Sequence, residues 1–475
     1  MSGALARWLA ASLLLTAGCV SAPAHKAPDV GPDIPESWQQ EESRPAAAPP
    51  QGAWWLTFQN DRLNHIVQDT LVANHDLRAA VARVEQAAAA ARIVSADLKP
   101  VVGAGLSAGR QRQNFVGFPI PGQERKILTT TATRFGLSVD VAWEVDLWGR
   151  LRADARAALA DYVAAAEDME AARQSLAAQA ARAWFTVVEA REQVQLAEQT
   201  VVSRQESVAQ VRKRYELGLR PSLDLRLAES TLSDARSLVA RRRSLLDGGV
   251  RQLEILMGRY PAGRLLDGSE DVTLPPAAPS IPAGLPTDLL ERRPDLRAAA
   301  GRFTASQQRL LAARRALYPR LTLTGSGGTV SDQLKDLVNG DFTVWSLLGG
   351  LTQPLFQGGR LRAGVDRAGA GRDETMERYA GTLLRAFAEV EMALADEGRL
   401  REQEEALTRS TAELAAALRL ARDRYAGGVG DYLTVLESQS REFVARSALL
   451  AVRRERLTNR VDLFLALGGG FGDHS

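Results

Sequence analysis

The longest regular pattern in the chain begins after Arg150 and continues to Gly218 with no proline and almost no glycine. Apolar side chains recur there at steps of three and four residues, which predicts one continuous helix; examples are Leu159, Val163, Ala166, Met169 and Leu176. At 1.5 Å rise per residue, a helix of about 65 residues is on the order of 100 Å long. Few globular domains contain such a helix, so the pattern indicates long, coiled-coil-like helices.

A different pattern precedes this helix. Phe135, Leu137, Val139, Val141 and Trp143 alternate with small or polar residues, which is the period of a β-strand. Glycines from position 103 and threonines up to position 133 extend the β pattern, and residues 114–123 are expected to form the loop of this hairpin. In a transmembrane strand the apolar face meets lipid, whereas in a soluble sheet it meets a core. The pattern of one strand does not distinguish a transmembrane strand from a strand of a soluble sheet.

The whole plan occurs twice. The sequence DLRAA at 76–80 returns at 295–299 after 219 residues, and GRLRA at 149–153 returns at 359–363 after 210 residues. The two shifts place an insertion of nine residues between Pro100 and Gly149. The mainly helical first copy is predicted to hold helices at about 54–98, 150–217 and 223–256 around its hairpin. The second copy is predicted to hold helices at about 287–317, 360–425 and up to 467, with two short strands near 321–323 and 343–351.

Composition limits the chemistry. The chain has 475 residues and a net charge of +2, from 59 Lys and Arg against 57 Asp and Glu, so no nucleic-acid groove is predicted. Four histidines lack metal-ligand spacing, and no phosphate loop or nucleophile motif is present. We therefore predict no enzyme activity, no catalytic residue, no metal site and no cofactor.

The single cysteine follows a short basic and apolar start. Small residues directly before Cys19 resemble a bacterial lipoprotein signal, in which cleavage leaves Cys19 first and lipidated with diacylglycerol and an N-acyl chain such as palmitate. The alternative is an ordinary secretory signal with an incidental thiol. The predicted divisions are a signal peptide (1–18), a lipidated leader (19–52), a first repeat (53–258), a Pro-rich linker (259–286), a second repeat (287–467) and a polar tail (468–475).

Four strands per chain pose a closure problem. If they lie in a membrane they cannot form a barrel alone, because barrels need at least eight strands and an open edge leaves backbone groups unsatisfied in lipid. The strands of two or more chains must then share one barrel. The long helices would continue from it as a hollow bundle.

Several motifs agree in order and spacing with one family. Trp54-Trp55, the 74–80 segment NHDLRAA, the 143–150 corner WEVDLWGR and the 291–296 segment ERRPDL resemble the outer-membrane efflux proteins. The chain resembles the TolC-like outer membrane factors, specifically their lipid-anchored NodT-type branch. Because Val20 follows the cysteine, the resemblance also implies a location in the outer membrane of a Gram-negative bacterium.

The resemblance implies a homotrimer with a twelve-stranded barrel and a periplasmic tunnel. It also implies two protein partners, a periplasmic adaptor and an inner-membrane transporter, and a duct that passes drugs, toxic compounds or metals outward. An export duct for proteins and a non-conducting periplasmic coiled-coil lipoprotein are the alternatives.

The turns after the long helices carry the site predictions. Their Arg-Tyr-x-x-Gly pattern first predicts glycine helix caps. The resemblance places them at a closed periplasmic tip, where the expected adaptor contacts are Gly218, Leu219, Gly428 and Val429, and the gate candidates are Tyr215, Asp224, Tyr425 and Glu437. Helix N-terminal stabilisation is the alternative for Asp224, and a solvated helix face is the alternative for Glu437. Arg150 and Arg360, which open the two long helices, are expected to bind acidic groups.

Overall fold

The computed structural model describes residues 37–39, 53–116, 127–267, 272–276 and 286–469. The predicted Cys19 lipidation site and most of the predicted leader lie outside these residues. The described chain is mainly helical, with one four-stranded antiparallel sheet, as the sequence predicts. None of its helices is both long and apolar enough to cross a membrane.

The elements follow one another in the same order in both copies. The first copy contains a 3-10 turn (Trp54–Phe58), α1 (Asp61–Ala73), α2 (His75–Ala96), β1 (Val101–Phe115), β2 (Leu128–Val145), α3 (Arg150–Glu216) and α4 (Ser222–Leu256). The second contains a 3-10 turn (Pro286–Asp288), α5 (Leu289–Arg292), α6 (Pro294–Arg315), β3 (Arg320–Ser331), β4 (Thr343–Thr352), α7 (Arg360–Ala426) and α8 (Tyr432–Ala466). Two further 3-10 turns, Leu334–Val338 and Gly340–Phe342, join β3 to β4.

The long helices of the two copies have equal lengths and equivalent boundaries. Both α3 and α7 have 67 residues, and both α4 and α8 have 35. All four boundaries of the second pair lie 210 residues after those of the first. The predicted long helices are therefore confirmed, and each residue of one pair has a defined counterpart in the other.

The predicted single helices at 54–98 and 287–317 are wrong, because both are interrupted. Asn74 has an extended backbone, and its side-chain oxygen accepts hydrogen bonds from the next helix's Asp76 and Leu77 amides at 2.9 and 3.0 Å. Its counterpart Arg293 is also extended, because Pro294 disfavours the helical conformation in the residue before it. Both breaks begin a new helix at the repeated DLRAA segment.

The inserted length lies in the first hairpin's strands more than in its loop. β1 and β2 have 15 and 18 residues, whereas β3 and β4 have 12 and 10. The first two residues of the loop predicted at 114–123 belong to β1, and residues 117–126 lie outside the described part. The insertion therefore lengthens the hairpin itself.

The chain forms two compact units. One comprises the described residues of 85–164 and 300–377 and holds the whole sheet. The other comprises the described residues of 29–84, 165–299 and 378–475 and holds most of the buried side chains.

The core of the second unit is aromatic. Trp54 is only 1% exposed and stacks on Phe464 with ring centroids 5.5 Å apart. Phe58 lies 5.2 Å from Phe185, and Trp184 is fully buried in the same cluster. The Trp54–Phe58 turn thus anchors the start of the first copy to α3 and α8.

The corner between β2 and α3 is held by acidic groups. Arg150 pairs with Glu144 at 2.8 Å and with Asp154 at 3.3 Å, as predicted for this arginine. The prediction for Arg360 is wrong, because its guanidinium bonds to the Gln357 side chain at 3.0 Å instead. The positions equivalent to Glu144 and Asp146 at that corner are a proline and a phenylalanine, so the acids that the first corner uses are missing there.

Candidate functional site at the helical turns and the sheet

The two turns that follow the long helices share one backbone geometry. Residues 217–221 connect α3 to α4, and residues 427–431 connect α7 to α8. Gly218 and Gly428 have φ angles of +70° and +79°, a left-handed region that costs residues with a Cβ roughly 1–2 kcal/mol. In both turns the amide that follows this glycine donates to the arginine carbonyl five residues earlier, at 2.9 and 3.1 Å. The predicted glycine caps are confirmed.

Arginines from the first turn hold the second. Arg214 donates from its two terminal nitrogens to the carbonyl oxygens of Tyr425 and Ala426, at 2.7 and 2.6 Å. Arg220 donates to the carbonyl oxygen of Gly430 at 2.7 Å. The last carbonyls of a helix lack intrahelical donors and carry the negative end of its dipole, so a cation placed there stabilises the turn.

The aromatic ring of Tyr425 lies beneath these arginines. It is 2% exposed, with the guanidinium carbons of Arg214 and Arg220 at 4.7 and 5.1 Å from its centroid. Tyr432 packs against it with ring centroids 5.5 Å apart. Burial raises the pKa of both phenols, and that of Tyr432 to about 12, and the negative charge of Asp224 adds to both shifts. Both side chains are therefore neutral at physiological pH.

The four gate candidates differ in position. Tyr425 is buried inside the chain, and Asp224 lies near it, half-buried in the first turn of α4. Tyr215 is 44% exposed, and Glu437 is exposed and paired with Arg441 one turn along α8 at 2.5 Å. The structure thus brings two of the four together, and the gate role of all four remains a prediction.

The expected adaptor contacts are all accessible. Leu219 and Val429 are 67% and 73% exposed, and the glycines before them are exposed as well. The two apolar side chains stand at equivalent places in the two turns, 210 residues apart. Each turn therefore presents the same small apolar surface to solvent.

Sequence reasoning missed Arg214 and Arg220 as the residues that join the turns. The repeated Arg-Tyr pair was a signal for Arg214, but its bonding partners are backbone oxygens more than 200 residues away in the sequence. Arg220 has no counterpart, because Gly430 occupies the equivalent position.

The sheet has one apolar face that crosses all its strands. The strand order is β1-β2-β3-β4, and every neighbouring pair is antiparallel. Register places the predicted apolar residues of β2 on the same face as apolar residues of the other strands: Val102 and Leu106 in β1, Leu321 and Leu323 in β3, and Trp345, Leu347 and Leu351 in β4. Trp345, Leu347 and Leu106 are 79%, 75% and 72% exposed.

The opposite face is mostly small and polar. It carries Ser138, Asp140, Thr322 and Ser326, and the last of these bonds to Ser346 across β3 and β4 at 2.9 Å. Within the described chain β1 pairs only with β2, and β4 pairs only with β3, so both outer edges of the sheet have unpaired backbone groups.

The described residues contain no cluster of three or more His, Cys, Asp or Glu side chains that could hold a metal ion. The family model for outer membrane efflux proteins matches residues 66–259 and 285–469. The chain belongs to this family. Its members are components of transport channels, and the resemblance seen in the sequence is confirmed.

Curated relatives match over nearly their full lengths. The chain is 34% identical over 468 residues to outer membrane protein OprJ of Pseudomonas aeruginosa, covering 97% of this chain and 95% of that protein. It is 30% identical to the cation efflux system protein CusC of Escherichia coli, covering 97% of each. The solved outer-membrane channel OprN superimposes with a TM-score of 0.86 at 27% identity, over 95% of this chain and all of that one. The homologues of the present chain are thus outer-membrane efflux channels.

Proposed function

We propose that the chain is the outer-membrane channel of a tripartite efflux system, through which small molecules leave a Gram-negative cell. The observation that carries this proposal is the sheet, with its continuous apolar face and two unpaired edges. An exposed edge in lipid leaves amide and carbonyl groups without partners. The edges must therefore pair with further copies when the apolar face meets lipid.

Three copies give a closed barrel of twelve strands, above the minimum of eight. The geometry of the sheet supports this joint. Four antiparallel strands leave β1 and β4 running in opposite directions, so β4 of one copy pairs with β1 of the next in the antiparallel sense of the other joints. The homotrimer then has no edge, its apolar face meets lipid, and its small polar face lines water.

The two turns form the periplasmic end in this proposal and meet a periplasmic adaptor. Gly218 and Leu219 in the first turn and Gly428 and Val429 in the second supply the contact, supported by their exposure and their equivalence. The adaptor joins the channel to an inner-membrane transporter, which supplies the energy. Tyr215, Asp224, Tyr425 and Glu437 each become a ring of three in the trimer, and carboxylate rings attract cations in a narrow pore.

Cys19 carries the lipid anchor in this proposal. The support is the sequence around it, a short apolar run followed by small residues and the only cysteine of the chain. An acyl anchor attaches the protein to the membrane in addition to the barrel. The lipid is bound covalently and is therefore not a dissociable cofactor.

Small molecules are the proposed cargo, and they include drugs, toxic compounds or metals. The name of CusC states cation efflux, which supports this class over a protein export duct. A non-conducting coiled-coil lipoprotein explains the long helices but gives no reason for an apolar sheet face with open edges. The sheet therefore favours the channel.

Photo-crosslinking in intact cells tests the assembly. A photoreactive side chain at Leu219 or at Val429 is expected to capture a periplasmic adaptor, identified by mass spectrometry. A probe at Val202, which is 55% exposed on α3 away from the turns, is the matched control and is expected to capture much less of it. Equal capture from all three positions, or none from abundant and correctly folded protein, would contradict the proposed tip contact.

A further inference from the structure

Arg424 occupies in the second turn the position that Arg214 occupies in the first. The two arginines lie 210 residues apart, each immediately before the tyrosine of its turn, and the backbone hydrogen bonds around them are equivalent. Arg214 bonds to the carbonyl oxygens of Tyr425 and Ala426. Arg424 is exposed, and its guanidinium makes no hydrogen bond or ion pair to any residue of the described chain.

The carbonyl oxygens that match the acceptors of Arg214 receive no side-chain donor within the described residues, although the Gly218 amide donates to that of Tyr215 at 2.9 Å, as Gly428 does to Tyr425 at 3.1 Å. The counterparts of Tyr425 and Ala426 are Tyr215 and Glu216, the last residues of α3, and no side chain in the described ranges donates to their carbonyl oxygens. The tyrosine rings of the two turns also differ in how far arginines cover them. Tyr425 is covered by two arginines and is 2% exposed, whereas Tyr215 is 44% exposed. Among the described residues, each chain thus has one arginine without carbonyl acceptors and one pair of helix-end carbonyls without an arginine.

We propose that Arg424 joins neighbouring subunits at the tip, by donating to the carbonyl oxygens of the partner subunit's Tyr215 and Glu216. This inference rests on the homotrimer of the proposed function. In a ring of three chains the six turns alternate between first and second repeats, so a first turn meets a second turn within each chain and again between chains. Arg214 makes the joint within the chain, and Arg424 makes the equivalent joint between chains.

The joint between subunits differs from its counterpart in two respects. Glu216 stands where the joint within the chain has Ala426, so its carboxylate adds a charge-assisted partner for Arg424. Arg220 has no equivalent, because Gly430 occupies its position, and the joint between subunits therefore has one arginine instead of two. Of the counterparts of Arg214 and Arg220, only Arg424 is then available to the joint between subunits.

Cysteine cross-linking of the full chain tests the contact. The pair Arg424→Cys with Glu216→Cys, treated with a short bis-maleimide in isolated outer membranes, is expected to give dimer and trimer bands on a denaturing gel. The matched pair Arg214→Cys with Ala426→Cys is expected to give a link within one chain and no such bands. The unmodified chain, with Cys19 alone, is the blank.

The outcomes separate this inference from the proposed function. A native mass of three chains without bands from the first pair would overturn the Arg424 contact and leave the channel proposal standing. A mass of one chain for the folded protein would overturn both.

Conductance in planar bilayers gives a second readout. Arg424→Ala is expected to raise the mean current in planar bilayers at least several-fold by opening the tip more often, Arg424→Lys less so, and the exposed Arg419→Ala on the same helix not at all. Unchanged current in Arg424→Ala would overturn its closing role.

Discussion

Replacing Arg214 by alanine removes the side chain that joins the two turns within one chain. It deletes two hydrogen bonds, at 2.7 and 2.6 Å, to the last carbonyls of α7, together with a cation–π contact of 4.7 Å to the buried Tyr425 ring. Arg220, the other arginine at this joint, is already bonded to Gly430. The expected result is a second turn that opens more often.

The magnitude follows from the contacts. A hydrogen bond from a charged donor contributes about 1.5–3 kcal/mol, and a cation–π contact at an exposed site contributes about 0.5–1 kcal/mol. Arg214 is half-buried, so water replaces part of what is lost. We therefore take about 2 kcal/mol for the whole side chain, which is about a 30-fold rise in the opening equilibrium. Arg214→Lys keeps the charge but loses the planar fork, and should fall between alanine and the native residue.

Hydrogen exchange measured by mass spectrometry on the purified protein is the assay. Peptides that cover residues 418–432 should exchange about 30-fold faster in Arg214→Ala, while peptides from the Trp54–Phe58 core keep their native rate. Arg212→Ala is the matched control, since that arginine pairs with Glu229 on the surface at 2.8 Å and does not reach the second turn. Native exchange in Arg214→Ala, or the same acceleration in Arg212→Ala, would refute the reasoning.

Three further predictions concern the tip and the anchor. Gly428→Ala places a Cβ at a φ of +79° and should destabilise the turn by roughly 1–2 kcal/mol, seen as faster exchange there, whereas Gly427→Ala, at a residue without positive φ, should cost less. Glu437→Ala breaks the pair with Arg441 and should raise conductance in planar bilayers; unchanged conductance removes Glu437 from the gate. Cys19→Ser should lose metabolic labelling by palmitate, and a fully labelled variant would rule out Cys19 as the anchor.

The long helices and the strands could be predicted because their signals are local. A run free of proline that ends at a glycine fixes both ends of α3, and the repeat transfers these limits to α7. The alternation of apolar and polar residues in β2 predicted which side chains share a face. The strand register in the structure extends this apolar face to the three other strands. These features depend on neighbours within one helix turn or one strand.

The contacts between elements distant in the sequence could not be predicted. Arg214 bonds to backbone oxygens, which every residue has, so no side-chain pattern identifies the acceptors. The break at Asn74 depends on a side-chain bond to the next helix, whereas the break at Arg293 had a signal in the following proline. The wrong prediction for Arg360 could have been avoided by comparing the two corners, since the repeat keeps the arginine but replaces the acids of the first corner.

The central claim is that copies of this chain close a water-filled pore, and current through planar bilayers tests it most directly. The purified full-length protein, with its mass measured in the same preparation, should insert as a trimer and give discrete current steps. The Arg214→Ala variant should give larger or more frequent steps, because its tip is loosened. A trimer that inserts into the bilayer but passes no current, in either the native protein or this variant, would contradict the channel.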